Sequence, residues 1–251
     1  MVKLSVVIIT FNEEHNIERC LKSVVNIADE IVVVDSFSTD NTSYICKKYN
    51  VNFVQNKWLG YSKQKNKANS LSNNDYILSI DADEAVSKEL EKSILEQKKI
   101  GFSGCYKINR FNNYCGKWIK HTSWYPDTKI RIWNRNEAIW KGDIHETVEF
   151  LEKNMVVKQL KGDLLHYSYT SIHNHIEQAN KFSSIAAQIK YEQGKSVGLI
   201  KIIISPFFKF IKEYFIKLGL LDGIYGFVIS VISAHETFLK YIKLYHKINS
   251  K

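Results

Sequence analysis

Short apolar runs alternate with helical patterns through the first hundred residues. Leu4–Thr10, Glu30–Ser36, Val51–Gln55 and Tyr76–Asp81 are short, rich in β-branched residues and almost continuously apolar. That pattern predicts strands buried on both faces. Between them, Glu13–Val25, Asn41–Tyr49 and Tyr61–Leu71 read as helices, and another helix is expected over Ser87–Lys99. The order βαβαβαβ predicts an α/β fold: a Rossmann-like, mainly parallel sheet flanked by helices, with right-handed crossovers. Such sheets bind ligands beyond the carboxyl ends of their strands. Polar residues directly after the strands are therefore the first candidates for function.

The pattern changes after residue 100. Residues 104–170 carry shorter strand-like pieces, Cys105–Arg110 and Lys129–Asn134, among many Trp, Tyr, His and Asn residues. An aromatic, polar stretch after a nucleotide-type half suggests a second-substrate site. Residues 172–193 read as one long helix. The expected organisation is one α/β domain over 1–194, divided into a nucleotide-type half (1–100) and a second-substrate half (101–194), followed by a helical extension over 195–251.

Charge sharpens the picture of that extension. The 251-residue chain has 35 Lys and Arg against 26 Asp and Glu, a net charge of +9. Residues 195–251 hold nine Lys against Glu213, Asp222 and Glu236, so two-thirds of the excess sits there. The same segment is rich in Ile, Phe, Leu and Tyr. Its lysines interrupt the apolar runs too often for a bilayer span of roughly 20 residues. Amphipathic helices lying on an anionic membrane surface fit this composition; helices packed on the α/β domain or on a partner subunit are the alternative. A basic chain also suggests nucleic acid, but here the cations sit in an apolar segment and not along a polar groove, so no nucleic acid is expected. Cys20, Cys46, Cys105 and Cys115 form no C-x-x-C pair, which argues against a zinc knuckle and for reduced thiols in a cytoplasmic protein.

The strongest chemical signal is Asp81-Ala82-Asp83-Glu84, directly after a predicted strand. Three carboxylates in four residues repel one another unless a cation offsets them. Asp81 and Asp83, two apart on a strand end, point the same way and could share a divalent ion with phosphate oxygens. Decoration of the next helix's N-terminus explains the acids equally simply. The ends of the first two strands, Thr10–Glu14 and Asp35–Asp40, place further polar groups on the same rim. Asp40 and Asn41 read as helix caps, while Asp35, still on its strand, reads as a ligand for a base or ribose. No phosphate-binding loop of the G-x-x-x-x-G-K-[ST] type and no G-x-G-x-x-G motif is present.

Ser5–Asn16 (SVVIITFNEEHN), Asp35–Asn41 (DSFSTDN), Gln64–Asn66 (QKN) and Asp81–Glu84 (DADE) together resemble inverting glycosyltransferase family 2, with the GT-A fold. Trp124–Asp127, Lys129–Arg135, Trp140–Glu146, His166–Ser168 and Leu218–Gly226 extend the resemblance to bacterial lipopolysaccharide-core β-1,4-glucosyltransferases. The resemblance implies a nucleotide-sugar donor, UDP-linked, held by Thr10, Asn12, Glu13, Asp35, Lys65 and Asp81. It implies a Mg²⁺ or Mn²⁺ cofactor on Asp83 and Asp81, with His166 as a further ligand. It implies an acceptor wall that includes Trp124 and Tyr125. Arg131 is a candidate for binding phosphate on donor or acceptor, with an exposed strand face as the alternative, and Trp140 a candidate for stacking on a sugar. Lys65 stands where the family commonly has Arg, and the change removes bidentate geometry.

Inverting transfer needs a base at the acceptor hydroxyl. Glu146 is the expected base and Asp143 the reserve. The expected reaction moves a hexose, glucose in the first instance, onto a sugar of a cell-envelope glycolipid. The protein would be peripheral on the inner face of the cytoplasmic membrane. Transfer to a polyprenyl phosphate and a non-catalytic nucleotide-sugar-binding role are the competing readings.

Overall fold

A computed structural model describes residues 1–142, 146–152 and 155–250. In chain order the strands and helices are β1 (Leu4–Thr10), α1 (Ile17–Val24), β2 (Glu30–Asp35), α2 (Thr42–Cys46), β3 (Asn52–Gln55), α3 (Tyr61–Leu71), β4 (Tyr76–Asp81), β5 (Glu84–Val86) and α4 (Lys88–Ile100). There follow β6 (Cys105–Tyr114), β7 (Lys117–Trp118), β8 (Asp127–Asn134), β9 (Ala138–Lys141), β10 (Thr147–Phe150), β11 (Val157–Tyr169), α5 (Ile172–Glu192), α6 (Leu199–Ile211) and α7 (Ile224–Asn249).

The chain forms two compact units, 1–110 with 128–167, and 111–127 with 168–251. This partition differs from the expected ranges 1–194 and 195–251. The physical reason is that α5, expected to belong to the α/β domain, packs along α7.

In the first unit the sheet runs β3-β2-β1-β4-β8-β6-β11-β5. The β3, β2, β1 and β4 strands are parallel neighbours, as the apolar runs predict. β8 then joins β4 antiparallel, and β5 joins β11 antiparallel. This is the mostly parallel, helix-flanked sheet of a GT-A-like fold. β1 is buried along its whole length. Leu4, Val6 and Ile8 face one side of it, with Ile17, Leu21 and Val24 of α1 in the same cluster. Val7 and Ile9 face the other, with Ala68 of α3 and Trp133 of β8. Pairing Thr10 with Asp35 and Ile9 with Asp81 brings the carboxyl ends of three strands level.

Local chemistry sets the helix boundaries. α4 starts where Ser87 accepts from the Leu90 N–H, an N-cap that satisfies one of the orphan donors of the first turn. α1 starts at Ile17, not at the expected Glu13, because the N–H groups of Glu13 and Glu14 go to Thr42 Oγ1 and Asp40 Oδ2. These bonds bind the β1 loop to the β2 loop instead.

In the second unit, Tyr114, Ile119 and Ile229 form a buried cluster with Trp124, Tyr169 and Tyr225 against it. The Leu218–Gly226 motif has a structural explanation here. A Cβ on Gly226 would lie 1.8 Å from the Gly219 carbonyl oxygen, so backbone meets backbone and no larger residue fits. Asp222 accepts from the N–H groups of Lys120 (3.1 Å) and His121 (2.9 Å). Glu213 accepts from Ser123 N and Oγ, each at 2.7 Å. No helix among the described residues is long and apolar enough to cross a membrane.

Candidate active site

The carboxyl ends of β1, β2 and β4 carry the acids that the sequence singles out. Asp81 closes β4, Asp83 sits in the following turn and Glu84 opens β5. The repulsion expected among them is offset from two directions. Lys65, on α3 and only 3% exposed, sets its ammonium 2.9 Å from Asp81 Oδ1 and 2.9 Å from Glu146 Oε1. Arg131, on β8, donates to Glu84 Oε1 at 2.6 Å and to Asp81 Oδ2 at 3.4 Å. Burial pushes the Asp81 carboxyl upward, but Lys65 and Arg131 outweigh it and hold the group well below the usual carboxylate range. Glu13 moves the other way: burial raises it, a hydrogen bond from Asn16 opposes, and the nearby Asp83, Asp40 and Asp81 raise it further.

Asp83 meets His166, with Oδ2 and Nε2 3.2 Å apart. β11 positions the imidazole by pairing His166 with Glu84, and the Tyr167 N–H donates to the Asp83 carbonyl at 3.0 Å. Both side chains are partly exposed, at 29% for Asp83 and 14% for His166. One carboxylate and one imidazole suit a divalent ion such as Mn²⁺ that takes its remaining ligands from phosphate and water. Among the described residues no group of three or more His, Cys, Asp or Glu is arranged to hold a metal. The fit is therefore a two-donor one, Asp83 with His166. Asp81, also expected as a metal ligand, is held here by two cations of the protein, Lys65 and Arg131.

The other expected residues have these surroundings. Asp35 is fully buried and accepts from the Ser38 N–H at 2.9 Å, from the Ser38 hydroxyl and from Gln55 Nε2 at 3.3 Å. Its carboxylate fastens the β2 loop, the same local bonding seen in capping turns. Asp40 does cap, accepting from Thr42 N at 3.0 Å, whereas Asn41 makes no cap bond with its side chain. Arg131 is expected at a phosphate or on an exposed strand face. It is 4% exposed and lies beneath the acids, because only paired carboxylates make burial of a guanidinium tolerable. Trp140 is 6% exposed and packs edge-on against Trp133, with the Lys65 ammonium 4.6 Å from its ring centre; it is not an open stacking face.

Trp124 and Tyr125 belong to the second unit. Trp124 stacks on Tyr169 at 5.4 Å and Tyr125 lies 5.0 Å from Phe111. Asn12, at φ 54°, accepts from the Thr39 N–H at 2.8 Å and gives its own N–H to Ser38 Oγ, so it shapes the rim. Thr10 Oγ1 is buried with no hydrogen-bond partner among the described residues, which leaves a polar atom on the rim for a ligand to satisfy. Asp143 lies outside the described residues.

The sequence pattern gives no role to Glu84, Arg110, Gln64 or Asn66. Glu84 accepts from Arg131, has Arg110 at 3.9 Å, and takes the Asp81 N–H at 3.0 Å. Gln64 is buried and joins Asn56 to Ser36. Asn66 clasps the Trp140 backbone, donating to its carbonyl at 2.8 Å and accepting its N–H at 2.9 Å. Three polar residues in a row on α3, with Gln64 and Lys65 buried, were the available signal.

Residues 5–154 match the family described as glycosyl transferase family 2. An uncharacterised glycosyltransferase of Rickettsia typhi is 36% identical over 97% of this chain and 87% of its own length. The lipopolysaccharide core biosynthesis glycosyltransferase LpsC of Rhizobium meliloti is 29% identical over 97% of this chain and 92% of its own. Among solved structures, S. aureus TarS 1-349 in complex with UDP covers 100% of this chain and 92% of its own, at 16% identity and a TM-score of 0.49. By the match across its first 150 or so residues and the full-length likeness to the Rickettsia protein, the chain belongs to glycosyltransferase family 2.

Proposed function

We propose that the protein is a metal-dependent inverting hexosyltransferase that moves a sugar, glucose in the first instance, from a UDP-linked donor to a sugar hydroxyl of a cell-envelope glycolipid. The observation that carries this reading is the convergence on one sheet rim of the Asp83–His166 pair with Asp81 and Glu146, the latter two bridged by Lys65. The likeness to LpsC supports a lipopolysaccharide-core or related acceptor. The protein would meet that acceptor as a peripheral protein on the cytoplasmic face of the membrane.

Each group has a task. Thr10 and Glu13, on the rim, face the donor. Asp83 and His166 would hold a divalent cation, which when bound offsets negative charge on the departing diphosphate. Glu146 takes the proton of the acceptor hydroxyl as its oxygen attacks the anomeric carbon. The bond from that carbon to the diphosphate oxygen breaks, and the electron pair leaves with the nucleoside diphosphate. One displacement on an α-linked donor yields a β-glycoside. Lys65 keeps the Glu146 carboxylate directed toward the rim. Trp140 and Trp133 close the apolar side of the site against water.

A panel of UDP-, GDP- and CDP-sugars titrated by calorimetry with Mn²⁺ tests the donor. Tight binding of one UDP-hexose that is lost with chelator is expected. Incubation with labelled donor and either core glycolipid or polyprenyl phosphate then tests the acceptor, with product anomer read by NMR. A retained α configuration, or transfer to polyprenyl phosphate alone, would overturn the assignment.

A further inference from the structure

The surface of residues 199–224 reverses the usual polarity of a helix on a globular protein. On α6, Ile200, Ile203 and Phe207 are 74%, 72% and 63% exposed. They fall at i, i+3 and i+7, one face of a helix, and on a folded monomer that outward face is normally polar. The buried position on α6 is Ile202. The apolar surface continues past the helix through Ile216 (70%), Leu221 (59%) and Ile224 (69%). Single exposed apolar residues are ordinary, but a continuous run of this kind marks an interaction surface.

Charge identifies the occupant. Lys201, Lys212 and Lys217 are exposed along the same stretch. Its two acids are turned inward: Glu213 is 1% and Asp222 is 3% exposed, each spent on N–H groups of the 120–123 loop. The outward face thus combines apolar side chains with cations and presents no acid. A second copy of the chain, docked through the same patch by a twofold axis, would set these lysines against themselves. An anionic bilayer complements both features.

We infer that the α6 face and the turns after it dock on an anionic phospholipid surface. Ile200, Ile203, Phe207, Ile216, Leu221 and Ile224 enter the acyl boundary, and Lys201, Lys212 and Lys217 lie among headgroup phosphates. This deepens the reading of a membrane-borne acceptor and rests on it, because docking is what delivers the enzyme to a glycolipid.

The test is co-sedimentation of the full chain with acceptor-free vesicles of phosphatidylcholine, with and without phosphatidylglycerol. Partitioning about tenfold stronger on the anionic vesicles, weakening as salt is raised, is expected. Ile203→Asp and Phe207→Asp should each cut binding about tenfold on the anionic vesicles. The Lys212→Gln/Lys217→Gln double variant should lose the preference for phosphatidylglycerol. Nucleotide-sugar binding by calorimetry should be unchanged in all of them, which shows that the variants fold and reads donor chemistry separately from docking. Failure to bind either vesicle would overturn the inference, as would Asp variants that bind like wild type. A concentration-dependent dimer dissolved by Phe207→Asp would overturn it in favour of a second copy.

Discussion

The Lys65 ammonium lies 2.9 Å from Glu146 Oε1 while the same nitrogen is 2.9 Å from Asp81 Oδ1. One buried cation therefore joins the end of β4 to the chain entering β10. Asp81 has a second cation, Arg131, at 3.4 Å, so Glu146 is the acid more dependent on Lys65. In Lys65→Met the Glu146 carboxylate loses its bridge, and breaking such a buried pair costs about 3 kcal/mol. Removing the charge of Glu146 as well, in Lys65→Met/Glu146→Gln, should recover part of that loss. A thermal-unfolding double-mutant cycle should give a coupling of about 1–3 kcal/mol. Additive single effects would show that the bridge does not matter. Glu146→Gln alone should leave donor binding intact and lower kcat by about 10²–10⁴.

The Asp83–His166 pair makes a separate prediction. If the two donors hold a divalent ion beneath a diphosphate, Asp83→Asn and His166→Ala should each weaken Mn²⁺-dependent UDP binding at least about tenfold. Binding of UDP in chelator should change little, because neither group is then asked to hold a cation. Calorimetry with and without Mn²⁺ separates these. Wild-type affinity for Mn²⁺ and UDP in Asp83→Asn would remove the site.

The parallel strands and the acidic rim were legible because each is written in adjacent residues. LSVVIIT and YILSID are apolar on both faces, and β1 and β4 have the expected bounds. β5 was not legible: three residues, Glu84–Val86, are too few to display a period. The role of Arg131 was hidden for a different reason. Its neighbours suggested a strand face, but its meaning comes from Asp81 and Glu84, 50 and 47 residues away in sequence. Asp35 is the opposite case, since its partner Ser38 is only three residues away. The exposed apolar face of α6 follows from segment composition, but which residues point outward depends on packing against α7.

Arg131 and Glu84 are both buried, at 4% and 1% exposure, and meet at 2.6 Å. Arg131 also donates to the Ser79 carbonyl at 3.3 Å and to Asp81. A planar fork serves three acceptors at once, which a lysine ammonium on a flexible stem does poorly. Arg131→Met should therefore lower stability by about 3–5 kcal/mol, by leaving Glu84 uncompensated. Arg131→Lys should recover only part of it. Urea midpoints compare the three proteins, and a lysine variant as stable as wild type would reduce Arg131 to a simple counter-charge.

His175, on α5, is 5% exposed, its Nδ1 3.0 Å from the Tyr114 hydroxyl and its ring against Tyr169 and Trp124. Burial pushes the imidazole down from its ordinary 6.5 to about 4. A proton thus binds the unfolded chain more readily than the folded one throughout that window. The contribution to stability is complete above pH 6.5 and is lost as pH falls toward 4, because protonation favours unfolding. At about 1.4 kcal/mol per pH unit, the loss across the window reaches at most about 3 kcal/mol. His175→Phe keeps an aromatic ring among its neighbours but has nothing to titrate. It should lower Tm at neutral pH, since Tyr114 loses its partner, and should show a shallower fall in Tm between pH 6.5 and 4 than wild type. Parallel Tm curves for the two proteins across that range would mean that another group sets the acid sensitivity of the second unit.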